Sequence, residues 1–168
     1  AKDAMLRFIA VSARILPSGH EFFLEGRDTL LDAALKSGLH LNYGCASGNC
    51  GKCKVKILKG EISLIRDHDY VLSTQERELG FCLACSNTAV TDVLMEASEA
   101  TLPSDLPFQE IRCQVSKLEP ISERLYLLSV KTPRTKTLRF MAGQTVKLIL
   151  ESGAQKQLAV ASCPWDGR

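Results

Sequence analysis

Residues 43–53 read YGCASGNCGKC and set three cysteines, Cys45, Cys50 and Cys53, among three glycines, Gly44, Gly48 and Gly51. A thiolate is a soft, anionic metal ligand, and glycine lets a backbone curl without a Cβ in the way. Interleaved, the two describe a loop in which several thiolates face one point and backbone N–H groups close around them. Such N–H groups, gathered in a tight turn, form a concavity that favours negative charge. The chain holds seven cysteines, an odd number, and lacks the basic, apolar and small-residue succession of an export signal. A disulfide framework is therefore disfavoured, and metal or redox chemistry in a cytoplasmic protein is expected.

The spacing is C-x4-C-x2-C with a further cysteine downstream, the arrangement that holds a plant-type [2Fe-2S] cluster. Cys82 and Cys85 compete for the fourth position. On a single strand over Phe81–Cys85 they would point to opposite faces, so only one should face the loop. A zinc site fits poorly, because structural zinc sites pair cysteines in short knuckles. A thiol nucleophile would want a histidine partner, yet His20, His40 and His68 sit in turn or loop contexts that no pattern joins to a cysteine. No residue is assigned a catalytic role. Cys82, Cys113 and Cys163 are explained as buried structural cysteines.

Outward from the loop, Met5–Ile15 alternates as a strand, Pro17-Ser18-Gly19 is a turn, and His20–Leu24 pairs back. Asp28-Thr29 caps a helix over LLDAALKSG, with Leu30, Leu31, Ala34 and Leu35 on one face and Gly38 as the stop. After the loop, Cys53–Leu58 alternates Val55 and Ile57 with Lys54 and Lys56. Ser73-Thr74-Gln75-Glu76 is a capping box for a short helix ending at Gly80, and strands follow at Phe81–Cys85 and Asp92–Glu96. This is an α+β order, a small mixed sheet wrapped over one helix. The composition breaks at SEATLPSDLPF (98–108), which divides the chain into residues 1–98, a linker over 99–107 and a β-rich piece over 108–168.

At 168 residues with 45% hydrophobic and 24% charged side chains, the composition is that of a globular protein. No apolar run approaches the roughly 20 residues of a membrane span. The formal net charge is +2, and neither half carries the clustered Lys/Arg with interleaved aromatics of a nucleic-acid surface.

YGCASGNCGKCKVKILKG and FCLACSNTAVTDVLME resemble the [2Fe-2S] ferredoxin family over residues 4–97. More narrowly, they are similar to ferredoxin domains of flavin-dependent reductases that serve oxygenases or deoxysugar synthesis. The resemblance implies a β-grasp fold, Cys85 as the fourth ligand and Cys82 as a buried bystander. It also implies that Gly44, Gly48 and Gly51 shape the cluster-binding loop beside Cys45, Cys50 and Cys53. Residues 108–168 resemble the opening strands of the antiparallel FAD-binding β-barrel of such reductases. FQEIRCQVSKLEPISERLYLLSVKT gives the first hairpin, FMAGQTVKLIL a strand, and QLAVASCPWDGR the next. There the family's flavin motif asks for Arg, Tyr and Ser, but Lys156, Leu158 and Ala159 stand instead. FAD is thus a doubtful cofactor.

The function implied is one-electron transfer, from a flavin-containing reductase domain or subunit to an oxygenase or other redox acceptor. The alternatives are a full NAD(P)H-dependent flavoenzyme of which this is a piece, or a cluster-bearing subunit whose C-terminal part is a docking module. Lys52, Lys54, Lys56 and Lys59 beside the loop are read first as a solvated strand face, and second as a sign of a fixed flavin partner. The triplet HDY (68–70) is read as a surface turn, with gating of the cluster as the lesser reading.

Overall fold

In a computed structural model, residues 10–166 are described; residues 5–9 of the expected first strand lie outside them. Strand β1 (Val11–Leu16) pairs antiparallel with β2 (Glu21–Leu24). Alternation puts Ala13, Ile15, Phe22 and Leu24 inside and leaves Phe23 in solvent. Helix α1 (Leu30–Lys36) follows, burying Leu30, Leu31, Ala33, Ala34 and Leu35 against the sheet.

The wholly buried Thr29 caps α1, its Oγ1 accepting from the Asp32 N–H at 3.1 Å. Thr29→Ala leaves that donor without its partner, and is expected to lower unfolding free energy by about 1–2 kcal/mol, read as a lower denaturant midpoint at unchanged slope.

A short strand β3 (His40–Leu41) leads into the cysteine loop, from which β4 (Lys54–Lys59) emerges. Then come β5 (Ile62–Leu64), helix α2 (Thr74–Glu78), β6 (Phe81–Leu83), β7 (Asn87–Ala89), β8 (Val93–Glu96) and β9 (Glu99–Ala100). The main sheet runs β2-β1-β8-β4-β6, with β1 and β8 parallel and the remaining pairs antiparallel. Together with α1 it is the β-grasp arrangement that the cysteine-bearing half was expected to adopt. The capping box of α2 is complete: Ser73 Oγ accepts from the Glu76 N–H, and Glu76 accepts from the Ser73 N–H.

Two small pairings went unforeseen, β3 with β9 and β5 with β7. The expected strand Phe81–Cys85 is shorter than read: it stops at Leu83, and residues 84–86 form a turn. Within 99–107, Glu99–Ala100 forms a strand and Pro103–Asp105 a single 3-10 turn.

The C-terminal part consists of two hairpins, β10 (Gln114–Ser122) with β11 (Leu125–Lys131), and β12 (Thr145–Ile149) with β13 (Gln155–Ala159). Each is a two-stranded sheet of its own. Val115, Leu118, Ile121, Leu125 and Tyr126 of the first hairpin stand exposed; of the cysteines expected to be buried, Cys82 is, but Cys113, just ahead of β10, is exposed and Cys163 is only half-buried.

Candidate metal centre

The loop between β3 and β4 is turned so that its amides face inward. The Ser47, Asn49 and Cys50 N–H groups donate to Cys45 Sγ at 3.4, 3.3 and 3.4 Å. The Cys45 and Lys52 N–H groups donate to Cys50 Sγ at 3.3 and 3.4 Å. Burial pushes the Cys45 thiol up, but these donors outweigh it and bring its pKa down to about 7.

The second pair of sulfurs lies deeper. Cys53 Sγ and Cys85 Sγ are 3.2 Å apart and both residues are buried. The bond from Cys53 is the main reason the Cys85 thiol falls to about 6; burial opposes it, and Ser86, the Gly48 N–H and the Arg66 charge assist. Cys53 moves the other way, raised by that same bond and by burial. One proton shared by two close sulfurs gives this opposed pattern. Cys82 is buried on β6 opposite Val55, where loss of solvent pushes its thiol up to about 12. The turn at 84–86, rather than strand alternation, separates Cys85 from Cys82.

The glycines divide into two kinds. Gly48 and Gly51 have φ of +82° and +71°, where a side chain is strained, and their missing Cβ atoms leave room for His68 and Tyr70. Gly44 lacks the positive φ; a Cβ there would come within 2.9 Å of Cys50 Sγ. The HDY triplet is therefore packed on the loop, not a detached surface turn: His68 covers Gly48, Tyr70 covers Gly51, and the Tyr70 N–H donates to the Gly48 carbonyl at 2.9 Å. Lys54 is occupied, bonded to Glu76 and 5.7 Å from the Tyr70 ring centroid, while Lys52 and Lys59 are exposed.

Sequence reasoning missed a group of residues from beyond β9. Thr137 donates from its N–H to the Gly44 carbonyl at 3.0 Å and from Oγ1 to the Cys45 carbonyl at 2.9 Å. Ser47 Oγ donates to the Arg134 carbonyl at 2.8 Å. Arg139, buried, bonds Asn42 Oδ1 at 2.8 Å and lies 5.2 Å from the Tyr43 ring centroid. Nothing local to TKTLR (135–139) announces contacts with a loop some ninety residues away.

Among the described residues, no three or more His, Cys, Asp or Glu side chains form a group able to hold a metal ion. The four thiols occupy two pairs, and five amide N–H groups face the sulfurs of one of them. A binuclear cluster asks for two thiolates on each iron and for donors to its sulfurs, and the donor chemistry of this loop fits that demand. Residues 13–90 match the family described as 2Fe-2S iron-sulfur cluster binding domain. The chain carries a domain of that family. Outside this ferredoxin-type domain, likeness continues into residues 108–168. The chain is 29% identical over 156 residues to CDP-6-deoxy-L-threo-D-glycero-4-hexulose-3-dehydrase reductase of Yersinia pestis, covering 93% of this chain and 46% of the relative. It is 32% identical over 144 residues to the phenol 2-monooxygenase reductase component DmpP of Pseudomonas sp. strain CF600, covering 84% and 40%. Among solved structures, the Amycolatopsis cytochrome P450 reductase GcoB is similar, with TM-score 0.51 and 26% identity over 94% of this chain and 46% of that one. The chain thus spans about half the length of the curated relatives it matches. No helix of the described residues is long and apolar enough to cross a membrane.

Proposed function

We propose that Cys45, Cys50, Cys53 and Cys85 hold a [2Fe-2S] cluster and that the chain passes single electrons as the ferredoxin part of a reductase. The observation that carries this reading is the set of inward amides on Cys45 and Cys50, which favour thiolate over thiol before any metal arrives. When bound, the cluster supplies a one-electron carrier at about −400 mV, the plant-type value. The protein's own contribution is to present four deprotonated sulfurs, to donate N–H groups toward the negative charge gathered there, and to keep Cys53 and Cys85 out of water. Gly44, Gly48 and Gly51 serve by letting the loop close.

Electrons are proposed to arrive from a flavin-containing domain or subunit and to leave toward an oxygenase or another redox protein, as the relatives' names suggest. Lys156, Leu158 and Ala159 on β13 offer no aromatic ring or hydroxyl to a flavin, so FAD contacts through them are not part of the reading. The exposed apolar faces of β10 and β11 favour a partner domain, in the same chain or another, that completes the sheet.

The purified protein is expected to be brown, with two irons and two sulfides per chain, and to gain a rhombic electron paramagnetic resonance signal after one-electron reduction. A colourless protein after anaerobic reconstitution with iron and sulfide would sink the proposal.

A further inference from the structure

Four peptide units of the cysteine loop share one orientation. In each, the N–H points at a cysteine sulfur and the carbonyl on the other side is held by an outside donor. The Gly48–Asn49 carbonyl accepts from the Tyr70 N–H at 2.9 Å, the Gly51–Lys52 carbonyl from the Lys54 N–H at 3.2 Å, and the Ala46–Ser47 carbonyl from Arg66 Nη1 at 3.4 Å. All three donors belong to the ferredoxin-type domain. The fourth unit, Gly44–Cys45, sends its N–H to Cys50 Sγ, and its carbonyl accepts from the Thr137 N–H at 3.0 Å. Thr137 Oγ1 then takes the next carbonyl, that of Cys45, at 2.9 Å.

A peptide with its oxygen engaged is a better donor at its nitrogen, because hydrogen bonds in a chain polarise one another by perhaps 10–30% each. Two consecutive carbonyls drawn outward also brace Ala46, the residue that follows them, whose φ of +53° is strained for a residue with a Cβ. Ser47 Oγ on the Arg134 carbonyl and Arg139 on Asn42 fasten the same segment at both ends. Residues 134–139 thus form a strap across the outer side of the loop, delivered by the C-terminal part of the chain.

We propose that Thr137 is a positioning residue for the cluster: it acts through the Gly44–Cys45 and Cys45–Ala46 peptides, and so lets the C-terminal segment set how readily the ferredoxin-type domain takes an electron. This rests on the reading of the loop as a cluster site. Reduction adds one negative charge beside the sulfurs, so amides aimed at them stabilise the reduced form more than the oxidised one. Loosening the strap makes reduction harder.

The test is reductive titration of the iron-loaded chain against a viologen that supplies the electron, followed by absorbance. Thr137→Val keeps the backbone N–H and the shape but loses the hydroxyl donor. It is expected to lower the equilibrium constant for reduction about threefold, a fall of about 28 mV at 59 mV per tenfold for one electron. Thr137→Ser restores the hydroxyl and is expected to titrate with the parent chain. If the valine variant does not fold, Thr137→Ala gives the same comparison. A loaded valine or alanine variant with unchanged potential overturns the inference, as does a serine variant that falls equally far. A parent chain that binds no iron overturns the cluster reading itself, and this inference with it.

Discussion

Cys85→Ser is expected to cut bound iron and sulfide by at least about tenfold, whereas Cys82→Ala keeps both near the parent level. The two cysteines are close in sequence and both buried, so burial alone does not separate them. Surroundings do. Cys85 Sγ lies 3.2 Å from Cys53 Sγ, with Ser86 Oγ at 3.6 Å, and its thiol is drawn down to about 6, chiefly by the Cys53 bond. Cys82 faces the apolar interior, where its thiol stays protonated far above neutral pH. A thiol in that setting contributes volume, and its removal should cost about 1 kcal/mol of stability through a small cavity. Iron and sulfide content, measured beside a thermal melt, separates ligand loss from unfolding. If Cys82→Ala loses the iron and Cys85→Ser keeps it, the ligand set proposed here is wrong.

Gly48→Ala is the second large effect expected. The added methyl would lie 2.5 Å from His68 Cβ and 2.9 Å from His68 Cα, at a φ of +82°. Left-handed backbone costs an alanine about 1–2 kcal/mol, and forced overpacking adds about 1–3 kcal/mol. One of the two clashing atoms is backbone, so the His68–Tyr70 segment must shift as a body, and it carries the Tyr70 N–H that holds the Gly48 carbonyl. Destabilisation of about 2–5 kcal/mol, together with faster loss of iron to a chelator, is the expected result. Gly38→Ala is the control, because its φ is also positive while nothing lies within 4 Å of its missing Cβ. If both variants lose iron at the same rate, the His68 contact does not matter to the site.

What could be read from the residues, and what could not, follows from the range of each signal. Helix α1, the Ser73–Glu76 capping box and the cysteine loop all announce themselves within a few residues, through a cap, a reciprocal bond or a ligand spacing. The ladders β3–β9 and β5–β7 were missed because strands of two or three residues are too short to show a period of two. Phe81–Cys85 is apolar throughout, which points to one strand running through Cys85, and nothing in that run announces the turn at 84–86. Thr137 was invisible for a different reason: it meets the loop through two main-chain carbonyls, and every residue has one, so no side-chain pattern records the pairing. The same holds for HDY: its polar side chains point to solvent by type, whereas Gly48 and Gly51 make the room in which His68 and Tyr70 pack.

The two-residue ladder between His40–Leu41 and Glu99–Ala100, extended by the Asn42 N–H on the Ser98 carbonyl at 2.9 Å, joins the stem of the cysteine loop to the strand by which the chain departs. The exit is therefore moored at the redox end of the domain, not at its far pole. Whatever follows residue 100 starts its path beside the stem of the cysteine loop. The departing chain is thereby anchored beside the same loop that Thr137 and Arg139 meet again further along.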